Sequence, residues 1–303
     1  MSLRPITETR HAQPTMEGAG VHLHRAFGFQ DPSELDPFLL FDDFRNERSE
    51  DFLRGFPWHP HRGIETITYV LSGTVEHGDS LGNEGTLGAG DVQWMTAGSG
   101  ILHQEMPKGN ANGQMHGFQL WANLPSSLKM TAPRYQDVQG KDIPEIIDDD
   151  GTRVKVIVGN FWGKSGPVDG IAADPQYLDI YVPAGVKKTF KVDTYRKAFA
   201  YVFEGAGAFA DASAPEGVLL EKEVMGEEVN IRDMSGNRTL IKFGTGEEVT
   251  VQAGEEGIRF LLISGAPIQE PVAWHGPIVM NTREELMQAF AELRNGTFIK
   301  PAH

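Results

Sequence analysis

Two short motifs carry side chains that could bind one metal ion. His59 and His61 form an HxH pair, and 44 residues after His59 the chain has an HxE pair, His103 and Glu105. In a β-strand, residues i and i+2 lie on the same face, so both members of each pair can point at one ion. If the two pairs face each other, they supply three imidazoles and one carboxylate. We therefore predict that these four side chains hold one divalent metal ion.

The predicted ligand types favour certain metals and a catalytic role. Neutral nitrogen ligands with one anionic oxygen suit Fe(II), Mn, Ni, Cu or Zn better than Ca or Mg. Four protein ligands on an octahedral ion leave two positions open. Open positions are typical of catalytic rather than structural sites, because a substrate and water or O₂ can bind there side by side.

Glu65 competes with Glu105 for the role of the carboxylate ligand. It follows the HxH pair closely, and Arg62-Gly63 could turn the chain and bring it back to the ion. Strand parity favours Glu105, which shares a face with His103. A Glu65 that does not bind the metal could still orient a histidine. Either carboxylate could accept a proton from a substrate hydroxyl, so both are candidate catalytic residues.

Short apolar runs separated by glycine turns surround both motifs. The chain has 35 glycines in 303 residues, which favours tight turns and β structure. Strands this short, at intervals of about 8–12 residues, indicate an antiparallel sandwich or barrel. Residues 125–144 are polar, contain three prolines and are predicted to be a connector. The predicted strands are 64–71, 74–77, 91–96, 101–106, 116–124, 154–158, 177–182, 199–203, 239–243, 248–251 and 259–263.

The second half of the chain repeats part of the first. Residues 69–73 (YVLSG) resemble residues 201–205 (YVFEG), and residues 92–98 resemble residues 248–254. This similarity predicts two related β domains. The same offsets carry the four motif residues onto positions of other types, so the second domain is predicted to bind no metal. Those positions are Lys191, Asp193, Arg259 and Leu261.

The C-terminal region differs from the rest of the chain. Thr282 and Glu285 form a capping box, which satisfies free backbone amides at the start of a helix. Apolar residues then follow at helical spacing until Gly296. We predict an amphipathic helix over residues 282–295, packed on a sheet.

Other residues near the motifs have simpler interpretations. His77 and Asp79 flank Gly78 near a predicted turn and are interpreted as loop groups with ordinary polar partners. Four apolar residues next to the motif strands are interpreted as lining of a pocket or of the core. They are Phe56, Trp58, Trp94 and Met95.

Several segments resemble one known family. The chain reads HPHRGIETITYVLSG and GDVQWMTAGSGILHQEMP between residues 55 and 107, DPFLLFDDF over residues 36–44, and HGFQLWANLP over residues 116–125. These segments resemble the pirin family of the cupin superfamily. The resemblance is close over most of the first half and looser over the second half.

The resemblance implies an all-β fold of two cupin-type antiparallel barrels, a bicupin, with a C-terminal α-helix. It implies a metal-binding domain over residues 1–135 and a metal-free domain with the terminal helix over residues 136–303. It also implies one metal, usually iron, on His59, His61, His103 and Glu105. Some bacterial relatives look like quercetin 2,3-dioxygenases, so the expected partners are a flavonol-like aromatic substrate and O₂.

Two other functions share the same predicted ligands. Eukaryotic relatives look like transcription cofactors, so the chain could be a non-enzymatic, redox-responsive protein that binds a protein partner. Another cupin reaction, such as sugar isomerisation, would need no O₂. Metal-dependent oxygenase activity is the function that we favour.

Composition excludes several classes of function. The net charge is −15, from 27 basic and 42 acidic residues, which disfavours direct binding to nucleic acid. The chain has no cysteine, which excludes disulfides, thiol catalysis and iron–sulfur clusters. No run approaches the roughly 18 apolar residues of a membrane span, and residues 1–20 contain no apolar signal core. We therefore expect a cytoplasmic protein without a membrane anchor.

Overall fold

A computed structural model describes residues 2–169, 172–210, 221–224, 227–230 and 234–300. These residues form mostly antiparallel β-strands and one α-helix near the C-terminus. The prediction of an all-β fold with a C-terminal helix is therefore confirmed. No helix in the described ranges is long and apolar enough to cross a membrane.

The strands that the structure describes run through most of the chain. In chain order they are β1 (Ile6–His11), β2 (Gln13–Glu17), β3 (Val21–Phe27), β4 (Phe38–Asp43), β5 (Phe56–His61), β6 (Ile64–Ser72), β7 (Thr74–Asp79), β8 (Glu84–Leu87), β9 (Val92–Thr96), β10 (Ile101–Lys108), β11 (His116–Asn123), β12 (Arg134–Val138), β13 (Glu145–Ile147), β14 (Arg153–Val158), β15 (Asn160–Phe161), β16 (Lys164–Ser165), β17 (Gln176–Val182), β18 (Lys187–Lys191), β19 (Lys197–Phe209), β20 (Glu221–Val224), β21 (Glu227–Asn230), β22 (Met234–Gly236), β23 (Thr239–Phe243), β24 (Glu248–Gly265), β25 (Ala273–His275) and β26 (Ile278–Met280).

The first compact unit, here called the motif unit, contains residues 13–142 and 268–303. Its larger sheet has seven strands in the order β12-β9-β6-β11-β4-β3-β2, and its smaller sheet has the order β5-β10-β7-β8. Among the described residues, the first and last strands of each sheet do not pair with each other. The predicted barrel is therefore built from two open sheets. Both candidate metal-binding motifs lie on the smaller sheet, the HxH pair on β5 and the HxE pair on β10.

The turn between β5 and β6 requires glycine. Gly63 has φ +78°, and a Cβ at this position would lie 1.9 Å from the carbonyl oxygen of Val279. Only glycine combines a positive φ with such a close approach of two backbones. The buried ammonium of Lys129 donates to the carbonyl oxygens of both residues, at 2.7 and 2.9 Å. The turn after the HxH pair is therefore held against the strand β26.

The second compact unit contains residues 1–12 and 143–267. Its main sheet follows the order β1-β23-β19-β24-β17-β14-β13. In addition, β18 pairs with β24, and β22 pairs with β19. A cluster of buried apolar side chains, including Phe190, Leu178 and Phe260, forms its core. Gly73 and Gly205, which end the two similar sequence segments, both have positive φ, at +79° and +65°.

The compact units divide the chain differently from the predicted boundary at residue 135. The segment before residue 13 belongs to the second unit, because β1 pairs with β23. The segment after residue 267 belongs to the motif unit. Each unit is therefore built from two separate stretches of sequence.

The prediction that residues 125–144 are only a connector is wrong. This segment contains β12, which pairs in register with β9 and forms an edge of the seven-stranded sheet. An edge strand is paired on one side and can carry polar residues. Its composition therefore gives a weak strand signal.

The terminal helix, α1, spans Arg283–Asn295 and confirms the prediction from the capping box. The Thr282 hydroxyl accepts a hydrogen bond from the Glu285 amide, and the Glu285 carboxylate accepts one from the Thr282 amide. Gly296 ends the helix in the left-handed conformation, with φ +71°. The buried guanidinium of Arg62 pairs with Glu292 at 2.8 Å and donates to the carbonyl of Phe298 at 2.9 Å. These bonds fix the helix to the motif unit.

Candidate metal centre

Three histidines from two neighbouring strands meet in the motif unit. Strand β5 runs antiparallel to β10, and His59 lies opposite His103 in the ladder. The ring centroids of His59, His61 and His103 lie between 4.3 and 4.9 Å apart. One ligand nitrogen from each ring lies within 4.8 Å of the other two. The structure therefore brings together the three imidazoles that the sequence singled out.

Backbone carbonyls fix the protonation of two of these rings. The Nδ1 of His59 lies 2.9 Å from the Pro57 carbonyl oxygen, and the Nδ1 of His61 lies 3.2 Å from that of Pro277. A carbonyl oxygen can only accept, so both Nδ1 atoms carry the proton and both Nε2 atoms carry a lone pair. The two Nε2 atoms lie 3.0 Å apart. Lone pairs this close repel unless a cation lies between them.

His103 supports the same interpretation. Its side chain is completely buried, and neither ring nitrogen has a hydrogen-bond partner. A buried polar atom without a partner costs free energy and calls for a missing ligand or ion. The donor set fits a first-row divalent metal ion, for which imidazole is a common ligand.

The protein keeps these imidazoles in the neutral form that binds metals. Burial lowers the pKa of His61 and of His103 well below 6.5, and the neighbouring histidines lower both further. Burial also lowers the pKa of His59. Because a metal competes with protons for the same lone pairs, a lowered pKa favours metal binding near neutral pH.

Glu105 lies two residues beyond His103 on β10. Its carboxylate oxygens are not among the ligand atoms that lie within 4.8 Å of one another. Its buried carboxylate contacts the Thr68 hydroxyl at 2.9 Å, and that hydroxyl also lies 2.9 Å from the amide oxygen of Gln119. Burial raises the pKa of Glu105 to about 7. The Thr68 hydroxyl has one proton and lies within hydrogen-bond distance of both acceptors, so it can donate to only one of them at a time.

Glu65 lies elsewhere, on the interior strand β6 of the larger sheet. Its buried carboxylate accepts a 2.7 Å hydrogen bond from Thr96 on β9. Glu65 is not among the residues that line the cavity described next, whereas Glu105 is.

A cavity of about 420 Å³ opens beside the histidines. His59, His61 and Glu105 contribute to its wall. Such a volume lies within the range of small-molecule sites, roughly 300–1,000 Å³. The other lining residues are mainly apolar or aromatic, and include Leu23, Phe29, Leu40, Phe44, Phe56, Pro57, Trp121 and Pro277.

The apolar residues next to the motifs have different locations. Phe56 lines the cavity, as the pocket interpretation requires, and Trp94 and Met95 are fully buried in the core. Trp58 contradicts both interpretations, because it is 53 % exposed. It alternates with His59 along β5, so its side chain points to the other face of the strand.

The interpretation of His77 and Asp79 as loop residues is wrong. Both are buried on β7, where Asp79 lies opposite His103 and His77 lies opposite Glu105. The ring of His77 is centred 5.5 Å from that of His103. The alternation of His77 and Asp79 around Gly78 is typical of a strand, but the glycines nearby favoured a turn in the prediction.

The cavity wall also contains a charged group that no local sequence pattern predicts. Arg25, Asp42 and Glu17 all line the cavity. Burial raises the pKa of Asp42 to about 6, against the opposing effect of Arg25. These residues belong to three different strands. The register places Arg25 opposite Asp42, and the Arg25 side chain reaches Glu17, which lies opposite Val21.

Comparison with known proteins identifies the family. The family model for pirin matches residues 20–122, and the model for the pirin C-terminal cupin domain matches residues 177–299. The chain belongs to the pirin family. This membership confirms the resemblance seen in the sequence and, with the observed strands, the cupin-type fold.

Similar proteins match nearly the whole chain. A "Pirin-like protein" of Caulobacter vibrioides is 44% identical over 98% of this chain and 100% of its own length. A protein of Pseudomonas aeruginosa named "Putative quercetin 2,3-dioxygenase" is 38% identical over 97% of both chains. The crystal structure of quercetin 2,3-dioxygenase from Acinetobacter baumannii superimposes with a TM-score of 0.83, 31% identity and 98% coverage of both chains.

Proposed function

We propose that this pirin-family protein is a metal-dependent dioxygenase that opens the ring of flavonols such as quercetin with O₂. The convergence of three imidazoles, two of them fully buried, beside a largely apolar cavity carries this proposal. The names of two similar proteins support the reaction and the substrate class.

We assign the metal site to His59, His61, His103 and Glu105, with iron as the metal. A divalent ion bound there would act as a Lewis acid toward a substrate hydroxyl and would support chemistry with O₂. The nitrogen positions need little rearrangement, because backbone carbonyls already orient His59 and His61. Such fixed partners hold ligand rings in place and select the tautomer.

The cavity wall would bind and orient the flat substrate. The rings of His61 and Trp121 pack in a T-shaped arrangement, with a centroid distance of 5.0 Å and an interplanar angle of 84°. Phe29 in turn contacts Trp121 edge-on at 6.4 Å. Aromatic walls bury planar rings well and exclude water from the reacting atoms. The histidine site thus lies directly beside an aromatic surface.

Glu105 is the group that we assign to accept the proton of the substrate hydroxyl. It lines the cavity together with His59 and His61, and a carboxylate can accept a proton from a substrate hydroxyl bound there. Thr68 holds the carboxyl in place by its hydroxyl. We assign Glu65 a role in supporting the site rather than in contacting the substrate. Its carboxylate accepts a hydrogen bond from Thr96, and Glu65 does not line the cavity.

Oxygen uptake and metal analysis test this function together. The wild-type protein loaded with Fe(II) should consume O₂ with quercetin well above the rate of free Fe(II). His61→Ala should lose both the bound metal and the uptake, whereas Glu65→Gln should keep the metal. Metal-loaded protein without quercetin-dependent uptake would reject the enzymatic function and favour a binding role. Full activity in a metal-free His61→Ala variant would reject the mechanism.

A further inference from the structure

A charged group in the cavity wall has no part in the proposed metal site. The Arg25 guanidinium donates from Nε and Nη2 to the two Asp42 carboxylate oxygens, at 2.8 and 2.7 Å. Its Nη1 donates to Glu17 Oε1 at 2.8 Å. The guanidinium also lies 4.9 Å from the centre of the Phe29 ring. All three residues and Phe29 line the cavity.

The bonding of Arg25 decides what this group can recognise. Three of its five N–H groups already donate to carboxylates, and the two carboxylates outweigh its positive charge, so the group is a poor site for an anionic ligand. One arginine and two carboxylates give the group a formal charge of −1. The remaining lone pairs of Asp42 and Glu17 make it an acceptor of hydrogen bonds. Glu17 is also reachable, because its side chain is 39% exposed.

Sheet register connects this group with the metal site. Arg25 lies opposite Asp42, Asp42 opposite Gln119, and Gln119 opposite Thr68 on four successive strands. Residues directly opposite each other share a face, so these four form one polar row. Thr68, at the end of the row, bonds Glu105. Three strand spacings of about 4.8 Å separate Arg25 from Thr68, roughly 14 Å in all. This is the length scale of a ligand with three linked or fused rings.

We propose that Glu17 and Asp42 form a subsite that accepts hydrogen bonds from phenolic hydroxyls on the ring of the ligand remote from the metal. Arg25 acts as a positioning residue that holds both carboxylates toward the cavity. The inference rests on the proposed function and adds a substrate class to it, a planar aromatic molecule with hydroxyls at both ends. Aromatic carboxylates are disfavoured there, because they would meet a negative group.

Paired ligands test the subsite directly. Quercetin carries two hydroxyls on its pendant ring, and galangin is the same flavonol without them. Affinities are measured anaerobically on metal-loaded protein by quenching of tryptophan fluorescence. The wild type should bind quercetin about tenfold more tightly than galangin, since a hydrogen bond to a charged group is worth about one factor of ten or more.

The variant Glu17→Gln should lose most of this preference and keep its affinity for galangin. Glu84→Gln, which removes an exposed carboxylate from β8, is the matched control and should retain the wild-type preference. A preference that survives in both Glu17→Gln and Asp42→Asn overturns the proposal. So does an equal loss of affinity for both flavonols in Glu17→Gln, because that result indicates a purely structural role.

The same measurements separate this inference from the proposed function. Binding with the expected preference but without O₂ uptake would reject the dioxygenase and keep the hydroxyl subsite. Turnover of quercetin and galangin with equal kcat/KM and equal affinity would keep the dioxygenase and reject the subsite.

Discussion

Glu105 should make the metal-free protein less stable as the pH rises from about 4.5 to about 7. Its pKa is about 7 in the folded protein, because of burial, against 4.5 for an ordinary glutamate. Between these values the folded state holds a proton that the unfolded state has lost, so stability falls as pH rises. One pKa unit corresponds to about 1.4 kcal/mol, so the full window amounts to about 3 kcal/mol. The stabilising effect is complete below pH 4.5 and lost above pH 7.

Urea unfolding of the metal-free wild type and Glu105→Gln, from pH 4.5 to 8, measures this effect. Glutamine keeps the shape and does not titrate, so the variant should gain about 3 kcal/mol relative to the wild type across the window. Contributions from the histidines occur in both proteins and cancel in the difference. Glu84→Gln, an exposed control, should parallel the wild type. Parallel curves for Glu105→Gln and the wild type would refute a neutral buried carboxyl.

Three further substitutions test other parts of the structure. His103→Ala should lower the bound metal from one ion per chain to background in elemental analysis, with an unchanged far-UV circular dichroism spectrum; retained metal would exclude His103 as a ligand. Gly63→Ala should destabilise the motif unit by about 4 kcal/mol or more, measured as a large fall in Tm, because its Cβ would clash with Val279. Phe190→Ala should cost about 3–5 kcal/mol in urea unfolding, because it empties part of the core of the second unit; a loss below about 1 kcal/mol would contradict that packing.

Local spacing was enough to predict the histidines of the candidate site. The i, i+2 rule places His59 with His61 on one face, and the meeting with His103 needs only that two neighbouring strands pair. Helix α1 was also predictable, because a capping box and a terminal glycine are local signals. Structural features that depend on a few adjacent residues can therefore be predicted from the sequence alone.

Features that depend on register could not be predicted in the same way. Arg25 and Asp42 are 17 residues apart and meet only because β3 pairs with β4 in one particular alignment. The place of β1 in the second unit depends on pairing with β23, more than 200 residues away. Such pairings arise from the packing of the whole sheet, for which single residues carry little signal.

The interleaved composition of the two compact units restricts how the gene could be divided. A fragment that ended at residue 135 would contain His59, His61, His103 and Glu105 but would lack Pro277, whose carbonyl orients His61. Its partner fragment would lack the strand β1. Recombination between relatives by a single crossover within residues 13–267 would likewise split both units. A complete exchange of either unit therefore requires three crossovers, near residues 12, 142 and 267, so that both stretches of each unit come from the same parent.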